Sequence, residues 1–382
     1  MLASGIIEQI GEAQSLHKYC FLAVDGSMRE STDRQFVSDH RQGLSSIMQL
    51  MQQSEVIHQP SELSAIGHRV VHGGEMFCQP TLIDEEVLRG IRQMVPLAPL
   101  HNPANLMGIE VTMQFAKDIP QVAVFDTAFH QTIPAQAFLY AIPKQLYEQQ
   151  RIRRYGFHGT SHYFVAKQAA KFLDKPLQSL NLITLHLGNG GSVTAIKQGK
   201  SVDTSMGMTP LEGLVMGTRS GDIDPAIPYY LNQHCAMSSE AVNDMLNKDS
   251  GLKGICGEND MRAIHRMADA GDETAQLALD MFCYRIKKYI GAYCAVLGQI
   301  DALVFTGGIG ENDAQARAKI CDGLNLLGIS IDLNKNSLCE AQIQDIKAIE
   351  SKLSVLVIPT NEELEIAMQT SEVYYKIKKT FN

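Results

Sequence analysis

The sequence predicts a layered α/β protein, and three observations carry that prediction. Strand-like and helix-like patterns alternate along most of the 382 residues. Several of the strand patterns run directly into glycine-rich turns. Apolar residues make up 45% of the chain, enough to bury a substantial core, and the length suits two domains or one large one.

The strand patterns lie at 65–71, 122–125, 182–187, 192–196, 301–305 and 353–358, where β-branched and apolar residues run together. Residues 1–10 read as the tail of a further strand. Leu44, Ile47, Met48 and Met51 recur at i, i+3, i+4 and i+7, the spacing of one helix face. A longer helix is expected over roughly 273–297, with Leu277, Met281, Ile286, Ile290, Tyr293 and Leu297 near one stripe. Thr160 or Ser161 could cap a helix running through Phe172, and Asn361 one through about Lys378. No solenoid repeat and no long Gly/Ser/Pro linker is present. The proline-rich stretch 96–103 reads as an ordered loop.

Lys and Arg number 33 and Asp and Glu 42, a net charge of −9. Such a chain is a poor non-specific binder of nucleic acid or of an anionic membrane surface. No apolar run reaches the ~18–20 residues of a spanning helix, and no basic segment precedes an apolar one as in a secretory signal. Eight scattered cysteines, Cys339 among them, form no Cys-x-x-Cys pair, which fits reduced thiols in a cytoplasmic protein.

Three glycine-rich segments could carry chemistry. His186-Leu-Gly-Asn-Gly-Gly-Ser192 separates two strand patterns. It suits a hairpin turn, and equally a bare backbone that approaches phosphate oxygens. Phe305-Thr-Gly-Gly-Ile-Gly-Glu-Asn312 runs from strand to helix, where a nucleotide can lie against the backbone. It matches neither the Gly-x-Gly-x-x-Gly fingerprint nor a Walker A loop. In Gly217-Thr-Arg-Ser-Gly-Asp222 an arginine sits among glycines.

These turns, with His68-Arg-Val-Val-His-Gly-Gly74, Pro99-Leu-His-Asn-Pro103, Phe125-Asp-Thr-Ala-Phe-His-Gln131, Arg154-Tyr-Gly-Phe-His-Gly-Thr-Ser-His162, Asp203-Thr-Ser-Met-Gly-Met-Thr-Pro-Leu-Glu-Gly213 and Ile358-Pro-Thr-Asn-Glu-Glu363, occur in an order that resembles the acetate/propionate kinase family. The resemblance spans roughly 68–363 and is closest to acetate kinase. It implies two actin-like (ribonuclease H-like) domains, with mixed sheets flanked by helices and a cleft between them. The first would cover 1–132, with the C-terminal helix 364–382 returning to it. The second would cover 133–363 and carry the nucleotide site and a homodimer contact. The family's opening turn, Asn-x-Gly-Ser-Ser-Ser-x-Lys, is absent from this sequence. About thirty residues, the length of two strands and their turns, are therefore expected upstream of Met1. Without them the chain is expected to be impaired.

The implied reaction is reversible phosphoryl transfer between ATP and acetate, giving acetyl phosphate and ADP. Such chemistry needs positioned cations more than covalent help, and a carboxylate is already a nucleophile. Arg69 has the fork that grips a carboxylate. The resemblance makes Arg219 a second arginine, on the phosphoryl group, and His158 a donor to that group in the transition state. It has Asp126 orienting the acyl substrate or helping to organise Mg²⁺. Strand periodicity puts Val71 beside Arg69, where it narrows the acyl pocket, and the resemblance adds His101, Phe157 and Pro210 to the substrate set. His186, Asn189, Gly190, Asp260, Arg262, Gly308, Ile309 and Asn312 are the implied nucleotide contacts. Glu362 is the implied holder of Mg²⁺, with Mn²⁺ as the alternative, and the same glutamate could simply serve the first turn of a helix. His68, His72, His130 and His162 read as packing or supporting groups. A serine hydrolase on Ser161 fails for want of Gly-x-Ser-x-Gly, and a metal hydrolase for want of ligand spacing. A propionate kinase or a non-catalytic relative are the remaining alternatives.

Overall fold

The computed structural model describes residues 1–99, 101–338 and 342–380. Leu100, inside the Pro99–Pro103 motif, and Cys339 lie outside the described residues. The chain divides into two compact units. The first comprises Met1–Gly73, Pro80–Val124 and Ile366–Asn382, and the second Gly74–Gln79 and Phe125–Glu365.

In the first unit, strands β1 (Ala3–Glu8), β2 (Ser15–Leu22) and β3 (Met28–Gln35) form an antiparallel meander. Only residues 1–10 were legible as strand in the sequence. β3, Met-Arg-Glu-Ser-Thr-Asp-Arg-Gln, is exposed throughout and carries no apolar alternation. Its pairing with β2 makes it a strand, and its charges suit an edge. The expected helix at Leu44–Met51 is found over His40–Gln53, with Asp39 as its N-cap. Strands β4 (Ile66–Val70), β5 (Thr81–Leu82) and β6 (Gln121–Phe125) make a second sheet, in the order β4-β6-β5. The last helix, Glu362–Thr380, packs on β4. At Gly67 a Cβ would lie 2.3 Å from Thr370 Oγ1, so the close approach requires glycine.

The second unit is built on a mixed sheet, ordered β11-β12-β10-β7-β8-β9. Its strands are β7 (Asn181–Leu187), β8 (Gly191–Lys197), β9 (Lys200–Thr204), β10 (Ala302–Thr306), β11 (Gln344–Asp345) and β12 (Ser354–Val357). β10 runs parallel to both β7 and β12, while β8 and β9 add antiparallel. Both faces of its centre are covered, which explains the continuous apolar runs of β10 and β12, while β7 and β8 interleave Thr184, His186, Ser192 and Thr194 with their apolar residues. Ile183, Leu185, Leu303, Phe305, Val355 and Val357 pack with the helix Glu273–Leu297. Leu182, Ile196, Val304 and Leu356 pack with Phe164, Val165 and Ala169 of the helix Gly159–Phe172. The period of two along β7 therefore turns Thr184 and His186 toward that second helix. Among the described residues, no helix is long and apolar enough to cross a membrane.

Candidate active site

The helix Gly159–Phe172 organises one wall of the site. The sequence suggested Thr160 or Ser161 as its N-cap. The cap is instead His158, in a left-handed conformation (φ 58°, ψ 22°). The helix starts earlier because Gly159 lies against the Asp126 carbonyl, where its N–H donates at 2.9 Å and a Cβ would sit 2.2 Å away. The two hydroxyls make other contacts. Thr160 donates to Asp126 Oδ1 at 2.9 Å, while Ser161 Oγ lies 2.8 Å from His186 Nδ1 and 2.9 Å from Thr360 Oγ1. Asp126 is fully buried just past the end of β6.

His158 is held from behind. Its Nδ1 is 2.9 Å from Ser192 Oγ, and its ring centroid is 4.3 Å from that of His186. The backbone before it is pinned by His130, whose Nε2 donates to the Phe157 carbonyl at 3.0 Å while Nδ1 meets Ser201 Oγ. Burial lowers the His130 imidazole to about 4, so it stays neutral near pH 7. The Phe157 side chain is itself buried.

Arg219 reaches the same place from the 213–222 loop. Asp222 accepts from the Gly213 N–H at 2.7 Å and from the Tyr289 hydroxyl at 2.8 Å, which closes the loop's base. Arg219 Nη1 donates to the Pro210 carbonyl at 2.7 Å. A Cβ on Gly190 would lie 2.5 Å from Arg219 Nη2 and 3.5 Å from His158 Cε1. Arg219, His158 and the 188–190 turn thus converge. Burial lowers the Arg219 guanidinium's pKa from its ordinary value, yet an arginine keeps its charge in proteins.

Beside this cluster is a pocket of about 750 Å³ lined by Gly188, Asn189, Asp260, Arg262, Gly308, Ile309 and Asn312. Asp260 caps the helix Met261–Asp269 and forms an ion pair with Arg262 at 2.6 Å, and the Arg262 hydrogen bonds hold the Asp260 carboxyl well below its usual range. His265 and Asp313, 2.8 Å apart, complete the wall and were not picked out from the sequence. Nor was Glu311. Its Oε1 accepts from the Gly307 N–H at 2.8 Å, the Thr306 hydroxyl at 3.2 Å and the Thr360 N–H at 3.0 Å. One carboxylate thereby ties the glycine turn after β10 to the segment after β12. Glu362 opens the final helix, and Asn361 accepts from Leu364 N–H as the expected cap.

The remaining candidates belong to the first unit. Arg69 is on the exposed side of β4. Val71 is one residue past the end of that strand, with its N–H donating to Asn105 Oδ1 at 3.0 Å. His101 immediately precedes the helix Asn102–Phe115.

An arginine and a histidine that converge on a glycine turn, beside a pocket of nucleotide size, suit phosphoryl transfer. The family model described as "Acetokinase family" matches residues 1–368. The chain belongs to the acetokinase family. An acetate kinase of Sulfurovum sp. is 54% identical over 377 residues, spanning 98% of this chain and 94% of that protein. The acetate kinase of Helicobacter acinonychis is 52% identical, with the same coverage. Among solved structures, Porphyromonas gingivalis acetate kinase superposes with a TM-score of 0.90 at 40% identity, covering 97% of this chain and 93% of that one. A propionate kinase of Francisella tularensis gives 0.90 at 44% identity, with equal coverage. The acetokinase fold, α/β with two actin-like domains, is therefore the fold of this protein.

Proposed function

We propose that this acetokinase transfers the terminal phosphoryl group of ATP reversibly to acetate, forming acetyl phosphate and ADP. The convergence of Arg219 and His158 on Gly190, next to the pocket formed by the two glycine turns, carries this reading. ATP lies along Asn189, Gly190, Gly308, Ile309 and Asn312, with Asp260 and Arg262 on the nucleoside side and His186 toward the phosphates. Arg219 and His158 donate to the phosphoryl oxygens, where negative charge is redistributed during transfer. Arg69 grips the acetate carboxylate in the role the resemblance gives it. Val71, His101, Phe157 and Pro210 shape the acyl side, and Asp126 orients the acceptor. No base is required, because the attacking oxygen carries no proton.

Among the described residues no cluster of three His, Cys, Asp or Glu side chains could hold a metal on its own. Mg²⁺ fits the residues present all the same, since it keeps several waters and takes one or two carboxylates together with substrate phosphates. Glu362 and Asp126 are the carboxylates that would hold it, with Mn²⁺ as a substitute. Bound there, the ion would neutralise charge on the nucleotide's phosphates. A homodimer built through the second unit and a cytoplasmic location belong to the same reading.

The test is direct. Purified protein with ATP, Mg²⁺ and acetate should yield acetyl phosphate, trapped by hydroxylamine, in step with ADP. Chelation should stop it. Propionate in place of acetate should be turned over less efficiently, and a preference for propionate would favour the propionate kinase alternative. No acyl phosphate from either acid would overturn the proposal.

A further inference from the structure

Behind His158 is a chain of three buried groups that the reaction as described does not use. His158 Nδ1 lies 2.9 Å from Ser192 Oγ. The same oxygen lies 2.7 Å from His162 Nε2, and His162 Nδ1 lies 2.7 Å from Thr184 Oγ1. Thr184, Ser192 and His162 are all fully buried. Burial, with the neighbouring His130 and His186, lowers the His162 pKa well below its ordinary value, so its ring carries one proton.

We infer that Thr184, His162 and Ser192 form a directional relay that places the single proton of neutral His158 on Nε2. The direction follows from hydroxyl satisfaction. Thr184 Oγ1 meets one partner among the described residues, His162 Nδ1. If it accepted there, its own proton would be buried with nowhere to go, so it donates. His162 Nδ1 is then an acceptor, and the ring's one proton is on Nε2, directed at Ser192. Among the described residues Ser192 Oγ meets only the two imidazoles. Having accepted from His162, it must send its proton to His158 Nδ1. His158 is left with its N–H on Nε2, the ring nitrogen on the other side from Ser192. His162 and Thr184 are thus positioning residues that act through Ser192. The inference rests on the proposed role of His158 as a donor to the phosphoryl group, but the proton's location can be measured without that role.

The test is a two-bond ¹H–¹⁵N spectrum of the protein labelled at histidine, recorded where His158 is neutral and assigned by comparison with His158→Gln. The relay predicts a protonated Nε2 and a bare Nδ1 on both His158 and His162. Thr184→Val keeps the shape and removes the donor, so His158 should show both tautomers, while Thr184→Ser should restore one. Ser192→Ala should lower kcat roughly tenfold with little change in KM for ATP. A wild-type His158 protonated on Nδ1 would overturn the inference. So would a Thr184→Val protein with unchanged spectrum and unchanged kcat. If the spectrum is as expected but no acetyl phosphate forms, the relay stands and the proposed reaction falls.

Discussion

Arg219 crosses Gly190 so closely that a single methyl group there would lie 2.5 Å from its Nη2. The glycine in the 188–190 turn thus does two things. It allows the tight turn whose Gly188 and Asn189 line the neighbouring pocket, and it makes room for the guanidinium.

Gly190→Ala should therefore act on Arg219 as well as on the turn. The methyl forces the guanidinium aside, and kcat should fall by about 10²-fold or more, as for loss of a preorganised donor. If Arg219 acts mainly in the transition state, as proposed, Arg219→Ala should lower kcat at least as far, with modest change in KM. Steady-state kinetics and thermal melting together check this. Near-wild-type turnover in either variant would remove Arg219 from the phosphoryl site.

Arg69 and Val71 should show a different signature. If Arg69 grips the ground-state carboxylate, Arg69→Ala raises KM for acetate as well as lowering kcat. Val71→Ala should improve kcat/KM for propionate relative to acetate, by no more than the ~1–3 kcal/mol that one methylene is worth. An unchanged ratio would show that Val71 does not face the acyl group.

Glu311 should matter although it was not among the sequence candidates. Glu311→Ala removes the acceptor shared by Gly307, Thr306 and Thr360. The glycine turn loses its tie, so KM for ATP should rise and the melting temperature should drop. Glu311→Gln keeps an oxygen in place and should recover much of both. Equal nucleotide KM in wild type and Glu311→Ala would show that the turn holds its shape unaided.

His130 sets a pH dependence of stability. Its folded value is about 4, against an ordinary 6.5, because it is buried. Above pH 6.5 both states are neutral and the full contribution is present. As pH falls toward 4 the unfolded chain gains a proton that folded His130 refuses, so stability is lost by roughly 3 kcal/mol from this residue. His162 shifts in the same direction and adds to the loss. Urea unfolding at pH 7.5 and pH 5 should show a steep decline for wild type and a shallower one for His130→Gln. Parallel declines would assign the effect elsewhere.

Much of the fold was legible in the residues themselves. β10 and β12 are buried on both faces and read as apolar runs. The helix Glu273–Leu297 was legible as a helix, and Ile286, Ile290, Tyr293 and Leu297 of its expected stripe are buried, but Leu277 and Met281 are exposed and the buried face at that end is Ala275, Ala278, Leu279 and Phe282 instead. The ordered glycine motifs, with Arg219, His158 and Asn189 among them, point to the family by themselves. Other features could not be read that way, because they depend on contacts between distant parts of the chain. β3 has no apolar pattern and exists through its pairing with β2. Thr160 and Ser161 look like helix caps locally, but Asp126 and His186, brought in by the sheet, compete successfully for their hydroxyls. Thr184, Ser192 and His162 are ordinary residues in strand and helix patterns. They become one hydrogen-bonded chain because β7, β8 and the helix Gly159–Phe172 stack their inward faces. Sequence alone determined the elements that carry an apolar period and the residue types the chemistry requires, since periodicity and backbone freedom are local properties. Tertiary structure decided which polar groups satisfy one another, since a buried donor must find its acceptor wherever the packed chain places it.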